Sequence, residues 1–263
     1  MIKLTNVSTG YAQPVLSKLS FEIAPASVTA VIGANGSGKS TLAQVLAGLK
    51  RDFKGEIAID DMPLTRRTPV RKLRQKVGLV LQHPEHQLVF DRLDTELNFG
   101  RENLGLSLSK DLLMDTLAKV GLDLPLETNP WQLSGGQQQR LAIASQLMLE
   151  PSYLLLDEAT TMLDYPGRQL VYDTIAKLAR DGLGVILFTN QLEEILLAER
   201  VILLSQGTAT VHTKSTLLSH LNILSQHGLA APPLLQLAAK HQLKTFAELA
   251  AWLNQEAPHA ERS

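Results

Sequence analysis

Short runs of apolar and β-branched residues recur along the chain and alternate with longer segments of helical periodicity. The runs predict β-strands, which we expect at 2–7, 19–23, 28–32, 56–59, 77–81, 153–156, 185–188, 201–204 and 208–212. Apolar positions three and four residues apart predict helices, which we expect at 40–49, 110–120, 137–149 and 167–180. This alternation favours an α/β fold with a mainly parallel sheet, and the closely spaced first strands favour an antiparallel contribution to a mixed sheet.

Two regions depart from this alternation. Between about residues 91 and 150 the pattern is helical only, which predicts a helical subdomain inserted into the α/β core. After about residue 212 the strands stop, and helices are expected at 217–226, 234–241 and 246–253. We therefore expect a main domain over 1–215 and a helical extension over 216–263.

The composition excludes several classes of protein. The 263 residues contain no cysteine, so a disulfide framework, a thiolate metal site and cysteine-based catalysis are ruled out, and a reducing compartment is indicated. The formal net charge of −1 lacks the basic excess of a nucleic-acid-binding protein. We find neither 18 consecutive apolar residues nor an apolar leader segment, and we expect a cytoplasmic protein without a transmembrane span.

A glycine-rich segment between the strand predicted at 28–32 and the helix predicted at 40–49 matches the phosphate-loop pattern G-x-x-x-x-G-K-[ST]. Backbone N–H groups of such a loop and of the helix N-terminus bind phosphate oxygens. Lys39 is expected to reach the β- and γ-phosphates of ATP, and the Ser40 hydroxyl to bind Mg²⁺. The nucleotide-binding residues expected here are Gly33, Ala34, Asn35, Gly36, Ser37, Gly38, Lys39, Ser40 and Thr41.

The apolar strand predicted at 153–156 ends in two acids, Asp157 and Glu158. A buried strand that delivers an aspartate at its end supplies the second Mg²⁺ contact of phosphate-loop NTPases. Glu158 is then placed to polarise the attacking water as general base. Successive strand side chains point to opposite faces, so both acids can serve one site only if the chain turns here, and residues 159–161 could form that turn.

A second motif settles the family resemblance. Ser134, Gly135, Gly136 and Gln137 follow Leu133 and precede a predicted helix, so they would expose backbone donors at its N-terminus. With this LSGGQ motif, the chain resembles the ATPase subunit of ATP-binding cassette (ABC) transporters. The resemblance implies that the motif contacts the γ-phosphate of ATP bound by the other subunit of a head-to-tail dimer.

The same resemblance implies roles for further residues. Tyr11 is implied to stack on adenine, Gln82 to contact Mg²⁺ and the attacking water, and Asp164 to cross the dimer interface. The implied fold is the ABC nucleotide-binding domain. It comprises a phosphate-loop α/β core, an antiparallel β subdomain, a helical subdomain and a C-terminal helical extension.

Segments 78–88, 98–106, 159–168 and 228–237 are similar to the ATPases of energy-coupling factor (ECF) transporters, which import vitamins and metal ions. This resemblance implies a second ABC ATPase subunit, a membrane-embedded coupling protein and a substrate-binding membrane protein as partners, and no nucleic acid. It also implies a peripheral position on the cytoplasmic face of the cell membrane. The transported compound cannot be inferred, because in these systems a separate membrane protein binds it.

Asn190 departs from the family pattern, which has a histidine on the γ-phosphate at this position. Asparagine can donate one hydrogen bond but is shorter and cannot be protonated. The substitution is compatible with full ATPase activity or with a weakened site. A weakened site would fit a heterodimer with a histidine-bearing ATPase, or a nucleotide-binding scaffold whose catalysis resides in a partner. An ABC ATPase acting on nucleic acid is disfavoured, because the chain has neither a coiled-coil insertion nor a second cassette.

Two smaller features, the apolar stripe of the extension and a histidine pair, each allow a functional and a purely structural interpretation. The apolar stripe of the extension, which begins at Leu217, could hold two ATPase subunits together or cover the chain's own core. His83 and His86 replace Asn and Asp of the ECF pattern, and without a third ligand nearby we expect no metal site there.

Overall fold

The computed structural model describes residues 1–260, in which ten α-helices accompany two β-sheets. The strands are β1 (Ile2–Gly10), β2 (Pro14–Ile23), β3 (Val28–Ile32), β4 (Lys54–Ile59), β5 (Met62–Pro63), β6 (Val77–Val80), β7 (Tyr153–Asp157), β8 (Gly184–Thr189), β9 (Arg200–Ser205) and β10 (Thr208–Thr213). The helices are α1 (Lys39–Leu46), α2 (Val70–Arg74), α3 (Leu93–Asn103), α4 (Lys110–Lys119), α5 (Gly135–Leu147), α6 (Tyr165–Arg180), α7 (Lys214–Ser219), α8 (Asn222–Gln226), α9 (Pro233–Lys240) and α10 (Phe246–Ala260).

The larger sheet has the strand order β10-β9-β3-β8-β7-β6, and all its pairs are parallel except β9 with β10. Every residue of β3, β6 and β8 is buried, which explains their continuous apolar runs, because both faces of a parallel sheet are covered. One hydrophobic cluster lies on each face. The α/β fold class predicted from the sequence is confirmed.

The smaller sheet has the order β2-β1-β4-β5 and is antiparallel throughout. On β1, Ile2, Leu4 and Val7 are buried between more exposed neighbours, as in a strand with one face on the core. The first strands therefore form a separate sheet rather than part of a mixed one. The reason is that β3 already pairs with β8 on one side and β9 on the other, so the antiparallel member of the larger sheet is β10.

Three helices, α3, α4 and α5, occupy the region between β6 and β7, and none of its described residues forms a strand. Ser109 begins α4 by accepting a hydrogen bond from the backbone N–H of Leu112. Buried leucines of all three helices join the hydrophobic cluster on one face of the larger sheet. The helices thereby place the start of α5, with its glycine pair, beside the α/β core.

The helical extension packs on the chain's own core. The helix predicted over 217–226 is wrong in one respect: it is divided into α7 and α8 at His220, whose φ of −137° and ψ of 63° leave the helical region. The residues of the extension that are buried in the main cluster are Leu217, Leu218, Leu224, Leu235, Ala238 and Leu249. This packing favours the interpretation that the stripe covers its own core. Dimerisation through the extension stays a prediction, and residues 261–263 lie outside the described part.

The two neighbouring leucines of α9 allow a matched test of this packing. Leu235 is fully buried, whereas Leu234 is 38% exposed. We expect Leu235→Ala to lower the free energy of unfolding by roughly 2–5 kcal/mol because it leaves a cavity. We expect Leu234→Ala to change it by less than about 0.5 kcal/mol. Urea unfolding of both variants measures the difference, and equal losses would contradict the orientation of α9.

Candidate functional site

The phosphate loop predicted at residues 33–40 connects β3 to α1. Gly36 and Gly38 adopt φ angles of 78° and 104°, which residues with a side chain rarely adopt. Helix α1 begins directly after Gly38 and has no side-chain cap. Its first backbone N–H groups therefore lack intrahelical acceptors, and such donors bind anions.

Lys39 is the first residue of α1, and its side chain is buried. Its Nζ donates hydrogen bonds to the carbonyl oxygens of Gly33 at 2.9 Å and Ala34 at 3.3 Å. Burial lowers the pKa of the Lys39 ammonium, while Glu158 and Asp157 oppose that shift. The ammonium is thus held by two neutral acceptors at the place where the sequence predicts phosphate.

Ser40 and Asp157 join the beginning of α1 to the end of β7. The Ser40 hydroxyl donates a hydrogen bond to Asp157 Oδ1 at 3.2 Å. Burial raises the pKa of the Asp157 carboxyl, and the hydrogen bond from Ser40 opposes this rise. Hydroxyl and carboxylate oxygens are ligands that Mg²⁺ prefers, so this pair fits the predicted metal site.

Glu158 makes the turn that brings both acids to one site. Its φ of 52° lies in the left-handed region, which is uncommon for a residue other than glycine. Its backbone N–H donates to the carbonyl oxygen of Phe188 at 2.8 Å, and its own carbonyl accepts from Thr161 at 3.2 Å. We expected the turn at 159–161, and the structure begins it at Glu158 itself.

One cavity of about 550 Å³ unites residues that lie far apart in the sequence. Its lining residues are Val15, Asn35, Gly36, Gly38, Lys39, Ser40, Thr41, Glu158 and Asn190. Asn190 directly follows β8, and Glu158 directly follows the neighbouring strand β7. Sequence reasoning missed Val15, because a valine in a strand carries no chemical signature. The cavity supports the predicted grouping of the phosphate loop, Glu158 and Asn190.

Tyr11 lies in the turn between β1 and β2 and is 68% exposed. Its hydroxyl donates to Gln44 Oε1 at 3.1 Å, and Lys50 Nζ lies 4.1 Å from the ring centroid. A cation at this distance from an aromatic face is attracted to the ring. Sequence reasoning missed Gln44 and Lys50, which contact the hydroxyl and the ring of Tyr11, while most of the side chain stays exposed for a stacking partner.

The second glycine motif forms the N-terminus of α5. The Ser134 hydroxyl accepts from the backbone N–H of Gln137 at 3.3 Å, and Gln137 Oε1 accepts from the N–H of Ser134 at 3.0 Å, which is a capping box. Both residues line a cavity of about 400 Å³ with Gly135, Gly136 and Asp164. The structure therefore groups this motif with Asp164, in a cavity different from that of the phosphate loop.

Gln82 follows β6 and is half-buried. The next residues fold back on the strand, because Gln87 accepts from the N–H of Leu81 at 2.7 Å and donates to the carbonyl of Leu79 at 3.0 Å. An apolar groove of about 590 Å³ lies beside this segment. Its apolar lining residues include Leu49, Val70, Leu81, Val89 and Phe99.

His83 and His86 lie in this same segment. Their ring centroids are 5.2 Å apart, and His83 Nδ1 lies 3.1 Å from Glu85 Oε1. Among the residues that the structure describes, no group of three or more His, Asp or Glu side chains could hold a metal ion. The described helices also include none that is long and apolar enough to span a membrane.

Residues 16–161 match the family model described as ABC transporter. The chain is 39% identical over 222 residues to the energy-coupling factor transporter ATP-binding protein EcfA1 of Halalkalibacterium halodurans. This alignment covers 82% of this chain and 80% of that relative. It is also 39% identical over 236 residues to EcfA2 of the same organism, covering 86% of this chain and 84% of the relative. The dimeric ATP-binding cassette MJ0796, in a post-hydrolysis state bound to ADP and Pi, is similar with a TM-score of 0.71 and 27% identity. That structural match covers 81% of this chain and 99% of MJ0796.

Two glycines of the two motifs give a matched test of the cavity assignments. A Cβ added at Gly33 would lie 2.5 Å from both the Leu204 carbonyl oxygen and Ser37 Oγ, whereas nothing lies within 4 Å of one added at Gly135. We expect Gly33→Ala to displace the phosphate loop and weaken ATP binding about tenfold or more, equivalent to roughly 1.4 kcal/mol. Gly135→Ala should leave ATP binding by the isolated chain unchanged. Calorimetric titration with a non-hydrolysable ATP analogue measures both affinities, and similar values would contradict the assignment.

Proposed function

This chain belongs to the ABC transporter family as an ATP-binding subunit of the energy-coupling factor type, and we propose that it hydrolyses ATP to drive uptake of a vitamin or metal ion through a membrane partner. The observation that carries this proposal is the cavity in which Lys39, Ser40, Glu158 and Asn190 meet. It combines the glycine-rich loop, the Ser40 hydroxyl that is hydrogen-bonded to Asp157, and the carboxyl group of Glu158.

We propose a part in hydrolysis for the polar groups of the cavity and for two residues outside its lining, Asp157 and Gln82. Backbone N–H groups of residues 33–41 and the Lys39 ammonium bind the phosphates, which orients the γ-phosphate for attack. Ser40 and Asp157 would hold Mg²⁺, which when bound neutralises negative charge on the phosphate oxygens.

Glu158 accepts a proton from the water whose oxygen bonds to the γ-phosphorus, while the bond to the bridging oxygen of ADP breaks. We propose that Gln82 orients this water, and it would also contact Mg²⁺ when the ion is bound. Asn190 donates one hydrogen bond to the γ-phosphate. The products are ADP and inorganic phosphate.

A complete site requires a second subunit. The motif of Ser134–Gln137 lines a cavity separate from that of the phosphate loop, which supports a site shared between two chains. Met162 and Tyr165, on either side of Asp164, are 61% and 76% exposed and offer an apolar surface to a partner. The dimeric state of MJ0796 supports the same arrangement. We propose that ATP binds between two subunits, each of which gives its phosphate loop to one site and its glycine motif to the other.

The second subunit is proposed to be a different chain. A homodimer would place Asn190 in both sites and leave neither with the histidine that the family usually has. Loss of one hydrogen bond to the transition state costs roughly 2.7–4 kcal/mol, or about 10²–10³ in rate, where it acts like a lost oxyanion donor. Two relatives from one organism, EcfA1 and EcfA2, are each 39% identical to this chain. Their presence in the same organism supports a pair of distinct subunits.

The groove beside Gln82 is the proposed contact with the membrane-embedded coupling protein. Val89 and Phe99 present exposed apolar surface there, next to the segment that carries Gln82. A groove with this lining fits the apolar face of a helix. Contact at this place would hold the subunit peripherally at the cytoplasmic face of the membrane, while a further membrane protein binds the transported substrate.

A second candidate function is a nucleotide-binding scaffold with a weakened site, whose catalysis resides mainly in the partner. Asn190 is the observation that favours it. ATP hydrolysis measured for this chain alone and with its partner separates the two candidates. Hydrolysis that depends wholly on the partner's phosphate loop supports the scaffold.

Lys39→Ala tests the phosphate-loop assignment. The Lys39 ammonium bonds only loop carbonyls among the described residues, so the variant should fold. We expect ATP affinity to fall about tenfold or more, because a hydrogen bond to a charged group contributes roughly 1.5–3 kcal/mol. Lys177→Ala, on the exposed side of α6, is the matched control. ATP binding retained by Lys39→Ala would refute the assignment.

Two variants in the assembled complex test the asymmetry. Gly135→Asp should abolish most ATP hydrolysis, because it adds negative charge where this chain's motif meets the partner's ATP, while the open space around Gly135 preserves the fold. Glu158→Gln should cost far less, because it affects only the site that contains Asn190. Steady-state hydrolysis rates measure both effects. Equal losses, or rapid hydrolysis by this chain alone, would reject the asymmetric scheme.

A further inference from the structure

Glu194 is a buried carboxyl group that the proposed reaction does not use. It is 2% exposed and lies in the 3₁₀ turn Leu192–Leu197, four residues after Asn190. Its Oε1 accepts hydrogen bonds from the Thr160 hydroxyl and, at 3.1 Å, from the Tyr172 hydroxyl. A buried carboxyl group costs free energy unless its partners are in place, so it strongly favours one arrangement of them.

The partners of Glu194 belong to segments that carry residues of the site. Thr160 lies two residues after Glu158, and its carbonyl accepts from the N–H of Leu163 at 3.2 Å, which leads the chain into Asp164. Tyr172 belongs to α6, which begins directly after Asp164. The carboxyl group therefore ties the loop after β7 and the helix α6 to the turn that follows Asn190.

Neutral hydroxyl groups hold this carboxyl in place of a salt bridge. Among the described residues, no Lys, Arg or His side chain lies within salt-bridge distance of Glu194. Burial raises the pKa of the Glu194 carboxyl, and the hydrogen bonds from Thr160 and Tyr172, together with the positive charge of Arg168, oppose the rise. Hydroxyl donors are directional, so the geometry depends on each of them.

We propose that Glu194 is a positioning residue for ATP hydrolysis, which holds the loop of Glu158 and the segment of Asn190 in one fixed relation. The inference rests on the proposed function, in which Glu158 and Asn190 face the same γ-phosphate. Displacement of a catalytic group by about an ångström costs up to roughly 10²-fold in rate. Glu158 has a left-handed backbone conformation that its surroundings must maintain, and the hydrogen bond to Thr160 lies two residues away.

Variants of the two hydroxyl partners test this proposal without removing the buried carboxyl. Thr160→Val removes one donor, and Thr160→Ser restores it. Tyr172→Phe removes the other donor but keeps the ring, which stacks on Phe246 at a centroid distance of 5.0 Å. Thr174→Val is the matched control, because Thr174 is also a buried hydroxyl on α6 but donates to the Leu170 carbonyl at 2.8 Å.

The measurement uses the assembled complex with Gly135→Asp in every variant, so that the remaining hydrolysis comes from this chain's phosphate loop. Single-turnover rate, ATP affinity and melting temperature are recorded together. We expect Thr160→Val and Tyr172→Phe to lower the rate about tenfold with unchanged ATP affinity. Thr160→Ser should recover the rate, and Thr174→Val should keep it despite a similar loss of melting temperature.

Two outcomes would overturn the positioning role. One is an equal rate for Thr160→Val and Thr174→Val, and the other is a rate that falls only in proportion to melting temperature. Glu158→Gln in the same background separates this failure from failure of the proposed function. If Glu158→Gln stops hydrolysis and Thr160→Val does not, only the positioning role is wrong. If Glu158→Gln leaves the rate unchanged, the proposed role of Glu158 is itself wrong.

Discussion

Parallel pairing of three neighbouring strands is the constraint on which the rest of the site depends. In the register of the larger sheet, Ile32 of β3 lies opposite Thr189 of β8, and Asp157 of β7 lies opposite Phe188 of β8. The three strands therefore end at one edge, and the loops that follow them converge although they are far apart in sequence. The strands contribute buried apolar surface, and almost all of the chemistry lies in the loops.

The loop after β7 connects two surfaces with different tasks. Its first residue, Glu158, lines the cavity of the phosphate loop, and its last, Asp164, lines the cavity of the glycine motif. A conformational change of the loop at Asp164, on the side proposed to face a second subunit, would thus occur only six residues from Glu158, the proposed proton acceptor. Glu194 attaches the middle of this loop to the turn after β8, so the short connection is braced from within the core.

Sequence patterns predicted the strands that carry the site, because buried parallel strands are continuous apolar runs and the phosphate loop has a fixed spacing of glycines and lysine. They failed where the determinant is a tertiary contact or a local backbone angle. The break at His220 involves neither proline nor glycine, so periodicity predicted one continuous helix. Some residues support a site residue that is far away in the sequence, as Lys50 contacts the Tyr11 ring and Glu194 accepts a hydrogen bond from Thr160. These contacts exist only in the folded chain, so no sequence pattern predicts them. Helical periodicity showed that the extension has an apolar face, but not which surface covers that face.

The resting position of Lys39 has a thermodynamic consequence for ligand binding. A lysine side chain that is free to rotate gives up about 2 kcal/mol of conformational entropy when it is fixed. Here the carbonyls of Gly33 and Ala34 have already fixed it during folding. In the proposed function, a phosphate would take the ammonium from neutral acceptors to charged ones with little new loss of side-chain freedom, and the charge-assisted bond formed would be the stronger one.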